Sequence, residues 1–205
     1  MEYLLDNGTC MVESELYLLG HGDIDKQGCY IGSTDLSLSA KGRQQVKDIA
    51  TSVVRKEIDA IFCSPMFRCR ETSDLLGLSC PCYTNDLLKE IDFGRWEGKS
   101  FAEITRDDAD AVTEWATNPT HFYFPGGESM QHFYGRIELI QKLLEGHDHK
   151  RVLLVTHGGI IRHLLCLYLG IPRDKYLVFD VQPGSLSSIA LYSEGGVLTG
   201  LNQRG

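Results

Sequence analysis

Apolar residues in this chain gather into short unbroken runs separated by longer stretches with helical spacing, the pattern of a buried, mostly parallel sheet covered by helices. The runs Leu16-Tyr17-Leu18-Leu19 and Val152-Leu153-Leu154-Val155 read as strands hidden on both faces, and residues 60–63 form a third. Ser39 caps a helix whose Val46, Ile49, Ala50, Val53 and Val54 recur on one side. Ser64-Pro65 opens the next helix, with Pro65 in its first turn, and Gly77 ends it. An amphipathic helix is predicted over 101–115. Another, over 128–144, turns Phe133, Ile137, Ile140, Leu143 and Leu144 toward the core. A last helix over 160–169 stops near Gly170 and Pro172, and strands 187–192 and 197–201 pair at the end. Residues 1–13 lack a period and read as a loose extension, and 23–38 read as a polar, glycine-bearing loop.

This alternation predicts a doubly wound three-layer α/β/α fold with a mostly parallel sheet. A chain of 205 residues is long enough for one well-buried core and short for two, so a single domain is expected over 1–205. Residues 86–124 interrupt the alternation as an insertion over the sheet edge, placed to shape a substrate pocket.

The chemistry stands at the strand ends. Two strands end in the same dipeptide, His21-Gly22 and His157-Gly158, and parallel α/β sheets collect ligands at such exits. Ser64-Pro65-Met66-Phe67-Arg68 follows the third strand, and Glu90 stands ahead of Phe93-Gly94-Arg95-Trp96-Glu97-Gly98. A neutral imidazole can attack phosphorus when its other nitrogen is held by a hydrogen bond. A guanidinium fork one turn into a helix, at Arg68, suits a phosphate better than Arg70 does from another side of that helix. The amide of Gly158, at a helix start, can face an anion. A carboxyl group beside a phosphate can hold a proton at neutral pH, which an alcohol leaving group needs. Glu90 and Glu97 compete for that place, whereas Glu128 reads as a helix-start carboxylate favoured by the dipole.

A formal net charge of −8 disfavours nucleic acid and anionic membrane surfaces as partners and leaves small phosphorylated metabolites. The N-terminus lacks a basic start and apolar stretch, and no run approaches the roughly 20 apolar residues of a membrane span. A cytoplasmic protein is expected. Seven cysteines, an odd number lying largely in apolar or helical segments, predict reduced thiols. Cys80-Pro81-Cys82 lacks the second pair of a metal site, and His147-Asp148-His149 reads as a solvated link, so neither metal nor cofactor is expected.

Taken in order, His21-Gly22, the stretch Gly32-Ser33-Thr34-Asp35-Leu36-Ser37-Leu38-Ser39 ahead of Gly42, Ser64-Pro65-Met66-Phe67-Arg68 with Thr72, Glu90, Pro125-Gly126-Gly127-Glu128-Ser129 and Thr156-His157-Gly158-Gly159 span nearly the whole chain. This set resembles the histidine phosphatase, or phosphoglycerate-mutase-like, superfamily. The resemblance implies that His21 is phosphorylated during turnover and that Arg68, His157 and Gly158 hold the phosphate. It also makes Glu90 the proton donor, with Glu97 structural. One position departs: the family carries an arginine directly before the first His-Gly, and here stands Gly20. That implies an underpowered phosphate pocket unless Lys26, Arg70 or Arg95 supplies the charge. The first loop, with no asparagine between His21 and Ser39, is more similar to the α-ribazole-5′-phosphate phosphatases of cobalamin biosynthesis than to the mutases. The implied activity is a metal-independent phosphomonoesterase. The alternatives are an attenuated relative that binds a phosphorylated ligand or partner and, third, mutase-type phosphoryl transfer.

Overall fold

The computed structural model of the protein describes residues 11–26 and 28–205; most of the extension expected at 1–13 therefore lies outside the described residues. Among these residues six strands form one sheet: β1 (Ser14–Gly20), β2 (Ala60–Cys63), β3 (Cys82–Thr84), β4 (Arg151–Thr156), β5 (Leu186–Tyr192) and β6 (Gly195–Gln203). Their order across the sheet is β3-β2-β4-β1-β5-β6. The first four run parallel, and β5 and β6 complete the sheet as an antiparallel hairpin against β1. Among the described residues the sheet is covered by α1 (Ala40–Val54), α2 (Phe67–Leu76), α3 (Phe101–Asp107), α4 (Ala109–Thr117), α5 (Met130–Glu145) and α6 (Gly158–Tyr168).

Side chains alternate across a strand, and β1 feeds both cores in this way. Leu16 and Leu18 pack with Ile137 and Ile140 of α5 and Ile160 and Leu164 of α6. Tyr17 and Leu19 pack on the other face with Val46, Ile49 and Val53 of α1 and Cys69 and Leu76 of α2. Three layers result. Leu18 has no exposed surface, so truncating it to alanine costs about 2–5 kcal/mol.

The topology also decides where a ligand sits. From β1 the chain crosses one face through α1 to β2; from β4 it crosses the other through α6 to β5. The two neighbouring strands thus send their connections to opposite faces, which opens a crevice at their carboxyl ends.

The structure differs from the sequence expectations at several places. Pro65 lies outside the helix it was expected to open, because Ser64 still continues the sheet through its amide bond to the Val155 carbonyl (2.9 Å) and α2 starts only at Phe67. The single helix expected over 101–115 is two, divided at Asp108. That residue takes a φ of −148° and a ψ of 42° while its carboxylate binds the Arg95 guanidinium and the Trp96 Nε1–H. Glu128 precedes the capping residue Ser129 and pairs with Arg136 and His132, so it is not a first-turn carboxylate. The edge strand β3 was not expected. Among the described residues no helix is long and apolar enough to cross a membrane.

Candidate active site

The parallel register of β1 and β4 aligns Gly20 with Thr156, so the next residue of each strand, His21 and His157, leaves the sheet beside its counterpart. The His21 amide donates to the Thr156 carbonyl (3.0 Å), and the two rings meet edge to face with centroids 5.2 Å apart. The backbone carbonyl of Gly22 can only accept, so His21 donates to it through Nδ1–H (2.8 Å). That bond fixes the tautomer and leaves the lone pair on Nε2. Burial, and then the nearby Arg68 charge, lowers the His21 pKa to about 4, which keeps the ring neutral at physiological pH.

Arg68 has no exposed surface and is held at three points. Its Nε donates to His157 Nδ1 (3.3 Å), Nη1 to the Thr34 carbonyl (2.9 Å) and Nη2 to the Gly32 carbonyl (2.8 Å). His157 then donates from Nε2–H to Ser64 Oγ (2.8 Å). Both ring nitrogens of His157 have protein partners, so donation to a phosphate requires a substrate oxygen to take the place of Ser64 Oγ. Burial first, then His21 and Arg68, pushes the His157 pKa well below its ordinary value.

The two candidate carboxylates occupy different environments. Glu97 accepts the amides of Gly32, Ser33, Thr34 and Phe93 and the Thr34 hydroxyl, which ties it to the loop under Arg68. Glu90 faces the helix α6 start, where Oε2 accepts the Gly159 amide (2.9 Å) and Oε1 its neighbour's at Ile91 (3.0 Å). Burial raises the Glu90 pKa against the opposing pull of those amides and of Arg68 and Arg162. The Gly159 amide is therefore committed to Glu90, whereas the Gly158 amide makes no bond to a described residue.

His21 lines a cavity of about 590 Å³ together with Lys26, Lys41, Arg162 and Arg204, four cations on a chain of net negative charge. Of the replacement cations considered from sequence, only Lys26 is there. Arg70 lies over the Phe67 ring at 5.3 Å, and Arg95 grips Asp108. On the Glu90 side a second cavity of about 230 Å³ is walled by Tyr30, Phe93, Trp115, Phe124 and Tyr176. Arg162 borders the His21 and Glu90 cavities and was not singled out from sequence; its signal was positional, since a side chain four residues after Gly158 leans back toward the helix start.

Paired imidazoles at adjacent strand ends, with a buried guanidinium behind them and across the crevice a buried carboxyl whose pKa is raised, are groups that phosphoryl transfer can use. The profile of the histidine phosphatase superfamily (branch 1) matches residues 16–204, and the chain belongs to that superfamily and is a phosphatase. It is 30% identical to the adenosylcobalamin/α-ribazole phosphatase of Salmonella typhimurium over 92% of this chain and 96% of that one. It is 28% identical to a putative phosphoserine phosphatase 2 of Hydrogenobacter thermophilus over 92% and 95% of the two chains. The crystal structure of a putative α-ribazole-5′-P phosphatase from Escherichia coli superposes with a TM-score of 0.86 at 27% identity, covering 94% of this chain and 97% of that one.

Proposed function

We propose that the protein is a phosphomonoesterase that works through a phosphohistidine at His21, with α-ribazole 5′-phosphate or a related small metabolite as substrate. The observation that carries this reading is the His21 ring itself: Nδ1–H is tied to Gly22, which leaves a neutral Nε2 lone pair at the crevice. Nε2 forms a bond to phosphorus while the ester P–O bond breaks, and the leaving oxygen takes the proton of the Glu90 carboxyl. Water then attacks phosphorus, the N–P bond breaks, and the water proton returns to the Glu90 carboxylate. Arg68 and His157 support the transferred group from behind, with Gly158 offering its amide. Imidazole attack needs no metal.

The second cavity favours a leaving alcohol that carries an aromatic base over a serine-like one. Its aromatic wall is built largely from the insertion, by Phe93, Trp115 and Phe124, and stacks a planar base better than a zwitterionic amino acid. A metal-free screen of phosphorylated metabolites that includes α-ribazole 5′-phosphate and phosphoserine, read by phosphate release, tests the reading. Acid-labile, base-stable phosphate is expected on His21, and His21→Ala abolishes it. Label trapped at His157, or undiminished turnover by His21→Ala, overturns the nucleophile. Phosphoserine as the better substrate overturns the leaving-group assignment. The missing side chain at Gly20 favours a second reading, a ligand-binding relative without turnover, and the same screen separates the two.

A further inference from the structure

Arg162 is the one residue among those described that lines both the His21 cavity and the aromatic cavity around Glu90. It lies on α6, one turn beyond Gly158, and its Nε–H donates to the Phe179 carbonyl (2.9 Å). That bond orients the guanidinium and consumes only one of its five donors. Among the described residues no carboxylate, carbonyl or hydroxyl takes a hydrogen bond from Nη1 or Nη2. Arg68 differs, since both of its Nη groups are bound to carbonyls and it has no exposed surface. A partly exposed guanidinium with its outer edge unengaged, at a helix start already favourable to anions, is poised for a ligand and not for the scaffold.

A glycine supports the same placement. A Cβ built on Gly158 would stand 3.0 Å from Arg162 Nη1, so the guanidinium lies over the first residue of α6 where any side chain would crowd it. Gly20 brings no cation to the site, and a Cβ built there would face only Gln182 O at 3.5 Å and Ile161 Cδ1 at 3.7 Å, neither of them charged.

We propose that Arg162 is a catalytic residue of this phosphatase, whose two outer Nη groups bind the phosphate ester between His21 and Glu90. The assignment rests on the phosphomonoesterase reading. With Nε anchored on Phe179, one Nη reaches a non-bridging oxygen on the His21 side, and the other lies beside the leaving oxygen that Glu90 protonates. The fork thus fixes the ester in line for attack and stabilises the charge that develops on it. It makes no covalent bond and moves no proton.

The test uses the full chain, with orthovanadate as the phosphate probe and p-nitrophenyl phosphate and an alkyl phosphate as substrates. Arg162→Ala is expected to lower kcat/KM on the order of 10²- to 10³-fold and to weaken vanadate binding, with the melting temperature showing that it is folded. Arg162→Lys recovers only part of the loss, because an ammonium cannot reproduce the fork. Arg162→Gln retains a donor toward Phe179 and is the variant to use if the alanine form does not fold. A structural role would not move the pH profile, but this one does. The cations bearing on Glu90 are Arg68 from α2, Arg136 from α5, whose Nη2 donates to the Glu90 carbonyl, and Arg162 from α6. Removing Arg162 leaves the carboxylate less stabilised, so the alkaline limb of activity shifts to higher pH; Lys41→Ala, which changes only the His21 cavity, leaves that limb in place. A folded Arg162→Ala or Arg162→Gln enzyme with vanadate affinity and kcat/KM within twofold of the parent overturns the assignment alone. A parent chain that hydrolyses no phosphomonoester and binds no vanadate overturns both it and the reading beneath it.

Discussion

Gly159→Ala separates what holds the fold from what performs the chemistry. A Cβ at position 159 would come inside 3.0 Å of Glu90 Oε1, with Cδ at 3.0 Å and Oε2 at 3.2 Å. The backbone there is ordinary helix, so only the carboxyl must move, and its bond from the Gly159 amide is lost. Losing a hydrogen bond to a carboxylate costs about 1.5–3 kcal/mol. Replacing glycine by alanine in a helix returns up to about 1 kcal/mol. The net loss of about 0.5–3 kcal/mol lowers the melting temperature by roughly 1–12 °C for a chain of this size. Catalysis suffers far more, because a displaced general acid forfeits its contribution of about 10²- to 10⁴-fold on substrates that need it. Initial rates on an alkyl phosphate and on p-nitrophenyl phosphate, alongside thermal melts, measure both quantities. The alkyl substrate should lose the full factor and the aryl substrate less than tenfold, and the change should add almost nothing in a Glu90→Gln background. Equal losses on the two substrates, or additive losses in the double variant, would refute the placement of Glu90 as the acid.

Three further outcomes follow from the same geometry. The pH profile on an alkyl phosphate should rise through about pH 4 as His21 becomes neutral and fall again above the raised pKa of Glu90; Glu90→Gln should remove the falling limb, and its persistence would point to another acid. His163 is buried with a pKa lowered to about 4, below its unfolded value of about 6.5, so the unfolded chain binds the extra proton and stability declines as pH drops from 6.5 toward 4. Urea midpoints at pH 7 and pH 5 should show His163→Phe flattening that decline by up to about 1.4 kcal/mol per pH unit, and an unchanged slope would contradict it. Gly20→Arg should fold, since a Cβ there meets only ordinary van der Waals neighbours, and should raise turnover more in an Arg162→Ala background than in the parent chain; equal gains would show that the two positions act independently.

Much of the candidate site was legible because its side chains stand where apolar runs stop. His21, His157 and Arg68 follow β1, β4 and β2, and a buried strand announces itself by composition alone. The edge strand β3 did not, since Cys82, Tyr83 and Thr84 are all exposed and three residues carry no period. The division between α3 and α4 was hidden because Asp108 breaks the helix through partners twelve and thirteen residues away, Trp96 and Arg95. Glu90 could be ranked above Glu97 only by resemblance, whereas the amides of Gly32, Ser33 and Thr34 that hold Glu97 become visible in three dimensions. Arg162 was not singled out in the sequence, because the Phe179 carbonyl that holds its Nε lies seventeen residues on and meets it only in the fold.

The alignment of Gly20 with Thr156 has a consequence for synthesis on the ribosome. β1 emerges early, yet its central partner is β4, and the segments between them include both α1 and the whole insertion. A nascent chain that stops short of β4 has the first imidazole but neither the second nor the amides of α6. β2 and β3 can pair earlier, but joining β1 to them and assembling the crevice wait for β4, and β5 must still add to the other side of β1. If both imidazoles are needed for turnover, phosphate release from a nascent chain waits for β4, and its appearance reports that the middle of the sheet has closed in the right register.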